Sequence, residues 1–451
     1  MASLSTPSDR EKRTAAPRPT PRAERLSLLV ACLVLAITVN VTAGERWPQW
    51  RGPQGNGISD EKNPPVSWSK TENVLWRLPL PGPAGSTPAV WDDRIFLTSV
   101  GEDKDELLLL CVDTSGEELW RRVVGTGNKT VRTDEGTYAS PSPTTDGEHV
   151  WAFMANGLLA CYDMEGNKVW SKDMQKEYGE FDIQFGLSST PVLHDDKIIV
   201  QLIHGTWNKV PSEAHVVALN KKTGEEVWDH VRKTPAVDEC KQAYTSPIIY
   251  QDDEREFLVT HGADFAIAHN LDNGEEIWRY RLHPEDNLDP TLRFVASPAA
   301  VPGLLVLPTA KNRQVVAIRP DGEGDITNDG KYTVWTTPNR TPDVPSPLIH
   351  DGLVYLCREA RGIVMCFDAE TGERYYMERT VDSRYRGSPV YADGKIYITA
   401  RKGVVTVLEA GREFKVLATN DLGEIITASP VIVGGRIYLR SFDALYAIGP
   451  K

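Results

Sequence analysis

The sequence predicts an all-β chain: an eight-bladed β-propeller of four-stranded antiparallel blades, whose last blade is completed by a strand from the N-terminal side. Three observations predict it. One stretch recurs, in which a strand ends on a small residue, turns through Asp or Asn and Gly, and closes on Trp. A Ser/Thr-Pro pair precedes each copy. The final copy stops short, while a Trp-bearing piece with no preceding repeat stands near the other end.

The repeat is plainest at 268–278 (AHNLDNGEEIW), and returns at 111–120 (CVDTSGEELW), 161–170 (CYDMEGNKVW) and 218–228 (ALNKKTGEEVW). Its small residue falls at Cys111, Cys161, Ala218, Ala268, Ala317, Cys366, Val407 and Ala447, at intervals of 50, 57, 50, 49, 49, 41 and 40. The proline anchors agree: Pro88, Pro141 or Pro143, Pro191, Pro247, Pro298, Pro347, Pro389 and Pro430. Two separate landmarks therefore count eight units. Within a unit, 393–400 (DGKIYITA) and 403–408 (GVVTVL) are alternating runs joined by a tight turn, and the Trp-bearing run adds another strand. A lone sheet of this size leaves both faces wet. Radial closure covers those faces and leaves only short edges.

Closure requires that Trp76, in 73–80 (NVLWRLPL), take in the eighth blade the place that Trp120 has in the first. Trp170, Trp228, Trp278 and Trp335 hold that place in later blades and Tyr376 in the sixth; the seventh, near Gly411, has none. No polar capping repeat marks either end, as a solenoid would need.

Ahead of the ring, residues 1–25 are rich in Pro, Arg, Ser and Thr, and 26–41 is an apolar run. This pattern predicts a signal peptide over 1–43, with cleavage after Ala43, and an exported, periplasmic or extracellular chain. The membrane is engaged only if the signal stays uncleaved or Cys32 carries a lipid. Residues 1–43 hold six basic and three acidic side chains, so cleavage moves the net charge from −13 to −16. That acidity excludes a basic nucleic-acid footprint and favours a soluble monomer. Residues 44–72 form an arm dense in Trp, Pro and Gly; Trp47 and Trp50 are expected to pin it to the ring or plug a groove. Residues 73–451 form the single propeller domain. The five cysteines beyond the signal include no CxxC pair and read as small apolar residues. Sequence leaves a Cys240–Cys357 pairing open.

Residues just before each anchor should enter the innermost strand at the channel mouth. They are Arg132, Asp134 and Tyr138; Asp182, Gln184 and Phe185; Lys241, Gln242 and Tyr244; Arg293 and Phe294; Asp343; and Arg384, Tyr385 and Arg386. Such a funnel would bind a planar or anionic ligand, or form an ion-pair network around a wet hole. The fifth copy carries Asp321, Glu323 and Asp325, whose spacing is that of an EF-hand opening but has Ile326 at the glycine position; a solvated acidic loop is the better reading. No zinc-spaced His cluster, G-x-S-x-G elbow or phosphate loop occurs, so no catalytic residue is assigned. His204, His261 and His269 lie on or beside strands and read as hydrogen-bonded structural residues. The stretches 209–214, 234–240 and 283–290 are the expected recognition loops.

The repeated A/C-x-D/N-x-x-T/S-G-E-x-x-W resembles the tryptophan-docking motif of pyrroloquinoline-quinone (PQQ) propellers, over 73–451. The opening WPQWRGP at 47–53 is similar to that of secreted PQQ-like propellers of planctomycete-type bacteria. The resemblance implies an eight-bladed ring tied by Trp between blades. It also implies one of two trades. Quinoprotein dehydrogenases oxidise alcohols or sugars with PQQ and calcium, under a vicinal disulfide that this sequence lacks. The propeller lipoprotein of the outer-membrane assembly machinery binds partners without a cofactor. The expectation is the second: a non-catalytic binding module for a protein or glycan of the cell envelope, without cofactor. The alternative is a PQQ- and calcium-dependent alcohol or sugar dehydrogenase.

Overall fold

The computed structural model describes residues 46–132, 136–205, 213–283, 290–310, 313–338 and 342–450. Residues 1–43, expected to be a signal peptide, Asp134 and the loop residues 209–212 and 284–289 lie outside them. No helix among the described residues is long and apolar enough to cross a membrane. Eight antiparallel four-stranded sheets make up the ring, three of them with one added strand. In the first blade the strands run outward from the channel as Ala89–Trp91, Arg94–Val100, Leu107–Asp113 and Glu118–Gly125. In the eighth, Val431–Val433, Arg436–Arg440 and Ala444–Ile448 come from the C-terminal end, and Val74–Pro79 supplies the outermost strand. Trp76 stands opposite Ala447, as Trp120 stands opposite Cys111. The ring therefore closes as its sequence requires.

A β-bulge follows the small residue in the first seven blades, and the outer strand of the eighth slips at Val74–Trp76. A bulge re-aims the neighbouring side chain. Here it lays the indole across the turn of the next blade and pushes the extra residue outward, leaving Leu119, Val169 and Val227 exposed. Beneath Trp76, Trp120, Trp170, Trp228 and Trp335 lie Gly116, Gly166, Gly224, Gly274 and Gly372, all at positive φ; a Cβ there would stand 2.5–2.8 Å from the indole. Each of these indole N–H groups donates to a carbonyl of the same turn, at 2.8–3.1 Å (Thr114, Met164, Lys221, Leu271 and Ala369).

The exceptions have physical causes. The fifth blade's turn is expanded by 321–330, and its strand Gly324–Asp325 pairs in parallel alongside Trp278 and Arg279. Trp278 is fully buried, yet its N–H has no partner among the described residues. Tyr376 packs edge-on to Phe414. The seventh blade has Ala418 at the position. The following turn is where the two chain ends meet, Gly449 N donating to Asn73 O, so no continuous glycine turn offers an indole a seat.

The innermost strands are joined by a second device. The backbone N–H of each anchor Ser or Thr donates to the hydroxyl of the next blade's anchor: Thr87 to Ser142, then Thr190, Ser246, Ser297, Ser346, Ser388, Ser429 and back to Thr87, all at 2.9–3.2 Å. Ser142 identifies Pro143, not Pro141, as the second anchor. Between blades the core is apolar, as where Phe96, Leu109 and Trp120 meet Val150, Ala160 and Tyr162. The five described cysteines are buried and no disulfide joins any two of them, Cys240 and Cys357 included; burial pushes the Cys111 thiol up to about 12.

Trp228→Phe should cost about 1 kcal/mol through the lost bond to Leu271. Trp278→Phe leaves the same cavity but strands no hydrogen-bond partner, so it should cost less than Trp228→Phe by the worth of that bond, ~1 kcal/mol; urea unfolding of the two variants compares them directly.

Candidate functional site

One end of the channel is closed by the N-terminal arm. Trp47 pairs with Val90 in the first blade, Pro48 O accepts from Thr145 N in the second, and Ile58–Ser59 adds to the seventh. The arm thus crosses the ring, and Trp50 lines the channel among the anchor hydroxyls. Arg51 holds the crossing. Its guanidinium is buried and donates to the carbonyls of Gly55, Asn56 and Pro347, at 3.3, 2.8 and 2.6 Å. Burial lowers its pKa to about 10, still well above neutrality, so it remains a cation.

The channel, about 170 Å³, is lined by hydroxyls and reaches Tyr244 and Arg386 at the other end. There the segments before the third, fourth and fifth anchors converge. Gln242 is buried, and its Oε1 accepts from Gln184 N at 3.3 Å and Tyr244 OH at 3.0 Å. Phe185 packs on Tyr244 at 6.0 Å, Arg293 lies over Phe185 at 5.3 Å, and Arg293 donates to Glu239 at 2.7 Å. Burial raises the Tyr244 phenol, so it stays a protonated donor. Across the mouth, Glu359 faces both Arg384 (3.7 Å) and Arg386 (3.4 Å).

Of the residues predicted for the mouth, the structure brings together Gln184, Phe185, Gln242, Tyr244 and Arg293, with Arg386 on the same channel. Tyr138 packs against Gly186, with Lys129 over its ring. Arg132 lies in the short strand Thr130–Arg132. Asp343 has a buried Oδ1 without a protein hydrogen bond among the described residues. Two expectations are corrected. Lys241, at the end of the 3-10 turn Asp238–Lys241, lines a separate concavity beside His204 and Arg232, and Arg384, whose carbonyl accepts from Arg401 N, lines another between the sixth and seventh blades. Asp321 and Glu323 stay in the solvated loop, while Asp325 caps Thr327 N. Among the described residues, no three His, Cys, Asp or Glu side chains gather as a metal site.

Sequence reasoning missed Glu239 and Glu359, which tie the arginines, and the buried Asp264–His283 pair at 2.8 Å behind Phe294. It also missed Arg51. Glu239 and Glu359 sit outside the repeat pattern, so no periodic signal marks them.

Two predictions follow from this geometry. Arg51→Ala strands the Pro347 carbonyl, and amide exchange across 46–59 should accelerate while the blades stay protected. Burial also holds His204 near 4 and His261 and His269 near 3. The unfolded chain takes up these protons below about 6.5, while the folded chain does not. Stability should therefore be complete above that pH and fall as pH drops toward 4, by up to about 1.4 kcal/mol per unit per histidine. Urea unfolding at pH 7 and 5.5 tests this, and His261→Gln should flatten the dependence.

No curated protein matches the chain. Among solved structures, BamB from Moraxella catarrhalis superposes with a TM-score of 0.58 at 15% identity, covering 84% of this chain and 97% of that one. A europium-containing methanol dehydrogenase superposes at 0.68 and 12% identity, covering 89% and 90%. The quinohemoprotein alcohol dehydrogenase from Comamonas testosteroni gives 0.66 at 12%, covering 90% and 81%. At these identities the likeness is one of fold. The sequence profile of the family described as outer membrane protein assembly factor BamB matches 66–249 and 155–415, most of the chain, and with the eight-bladed ring now in view this protein belongs to that family of PQQ-like propellers.

Proposed function

We propose that the protein is an exported, non-catalytic binding propeller of the cell envelope that holds a protein partner without a cofactor. The observation that carries this reading is where the arginines of the channel mouth and the exposed apolar side chains stand. Arg293 is held by Glu239, and Arg386 faces Glu359. The other end is stopped by Trp50. Exposed apolar side chains, by contrast, stand on outermost strands: Leu119 and Val123, Val169, Val227, Val416 and Leu417. An outer strand presents unpaired backbone groups beside such side chains, which is a surface suited to another polypeptide. The apolar run at 26–41 supports export.

The PQQ- and calcium-dependent dehydrogenase shares the fold, but the residues present fit those groups poorly. A quinone at the mouth would have to displace the Phe185–Tyr244 pair, and two of the carboxylates there, Glu239 and Glu359, already face arginine. Titrating the purified protein with PQQ and calcium should give no bound-quinone absorbance and no dye reduction with alcohols or sugars. Substrate-dependent dye reduction would replace this reading with the dehydrogenase.

A further inference from the structure

Off the channel axis on the mouth side, where the third and fourth blades meet, lies a hollow of about 210 Å³. Four pieces of chain build its wall. His204 follows the strand Lys197–Leu202, Arg232 follows Glu226–Val231, Lys241 ends the 3-10 turn, and Ala263 turns the hairpin of the fourth blade.

Two of these side chains are buried, Arg232 at 3% and His204 at 2% exposure, and each keeps one nitrogen unused. Arg232 donates from Nε to Thr260 Oγ1 at 3.1 Å and from Nη2 to Phe265 O at 2.7 Å, while its Nη1 has no partner among the described residues. His204 Nδ1 accepts from Asp182 N at 3.3 Å, so the neutral ring carries its proton on Nε2, and that N–H also lacks a partner there. Both idle atoms are therefore donors.

The charge around them has the same sign. Among the described residues no carboxylate stands within ion-pair distance of Arg232: Asp264 is bonded to His283 Nδ1 at 2.8 Å, and Glu276 to Arg279 at 2.6 Å. Burial lowers the Arg232 pKa to about 9, which still leaves a cation at neutral pH. Lys241 and the exposed Lys233 bring two ammonium groups to the same lining, neither with an ion-pair partner among the described residues. The one carboxylate on the lining, Glu213, is exposed.

A buried donor left unbonded costs more than an ordinary hydrogen bond is worth, and a charged one costs most. Two such donors beside ammonium groups are relieved together by an acceptor that carries negative charge. The hollow is smaller than the ~300 Å³ at which small-molecule sites usually begin, so the ligand must be compact. We infer that this hollow binds a small oxyanion, a carboxylate, sulfate or phosphate group, with Arg232 Nη1, His204 Nε2 and Lys241 Nζ as its donors. The inference is independent of what the rim of the ring binds.

Calorimetric titration of the full chain with phosphate, sulfate and acetate at matched ionic strength tests it, and the three arms separate tetrahedral oxyanions from a carboxylate. At least one anion should bind once per chain and raise the melting temperature above its value in chloride. Lys241→Gln removes a cation that has no ion pair to lose, so the melting temperature without ligand should hold while binding weakens about fivefold to tenfold. His204→Asn keeps an acceptor for Asp182 N, has no donor in the place of Nε2, and should weaken binding to a similar degree; if it does not fold, Lys241→Gln alone supplies the comparison. Failure of all three anions to bind, stabilisation no greater than chloride gives, or undiminished affinity in Lys241→Gln overturns the proposal.

Discussion

Everything else in the molecule hangs on a circle of eight hydrogen bonds around the channel, in which each anchor residue's N–H meets the next anchor's hydroxyl until Ser429 returns to Thr87. Each link is an ordinary bond, worth about 1 kcal/mol net. Its force lies in geometry: the chain of donors closes only if the number of blades and their tilt are right. One anchor replaced by a residue without a side-chain acceptor leaves a buried amide with nothing to bind. The circle sets the diameter of the channel and so what can line it: small hydroxyls, Trp50 from the arm, and at the far end Tyr244 and Arg386.

The tryptophans work at larger radius and on a different principle. An indole laid on a glycine at positive φ excludes water from the seam and uses its N–H on the same turn, so burial and hydrogen bonding favour one orientation together. The places where this fails are informative. The fourth blade's Trp278 faces an enlarged turn and pays with an unused donor, while that turn returns Gly324–Asp325 to cover the blade's outer edge. The seventh blade has no indole, since the turn it would rest on is made from two chain ends. There the arm contributes instead: Trp68 is buried in the seam, and its backbone N–H donates to Asn420 Oδ1 at 2.9 Å.

Charge is distributed unevenly around this frame. In the interior, burial keeps histidines neutral, and the buried guanidiniums of Arg51, Arg232 and Arg440 donate to carbonyls and hydroxyls. At the mouth, arginines face carboxylates.

The fold was legible almost completely. Cys111, Ala268 and Ala447 announce the same register because a small residue fits opposite a docking indole, and a constraint repeated in six of the eight blades becomes a period. The Ser/Thr-Pro pairs marked the inner strands for the same reason, and the missing final Trp strand pointed to Trp76. The site was legible in part. Gln184, Gln242, Tyr244 and Arg293 were found because they precede anchors, yet Lys241 and Arg384, chosen on that ground, point elsewhere. Arg51 reaches Pro347, 296 residues away. By itself the sequence determined the count of blades, their register and the strand that closes them, since those follow from local spacing. Which polar side chains meet, and which stay beside like charges, was decided only in the tertiary structure, where segments unrelated in sequence share one end of the ring and no repeat constrains what they carry.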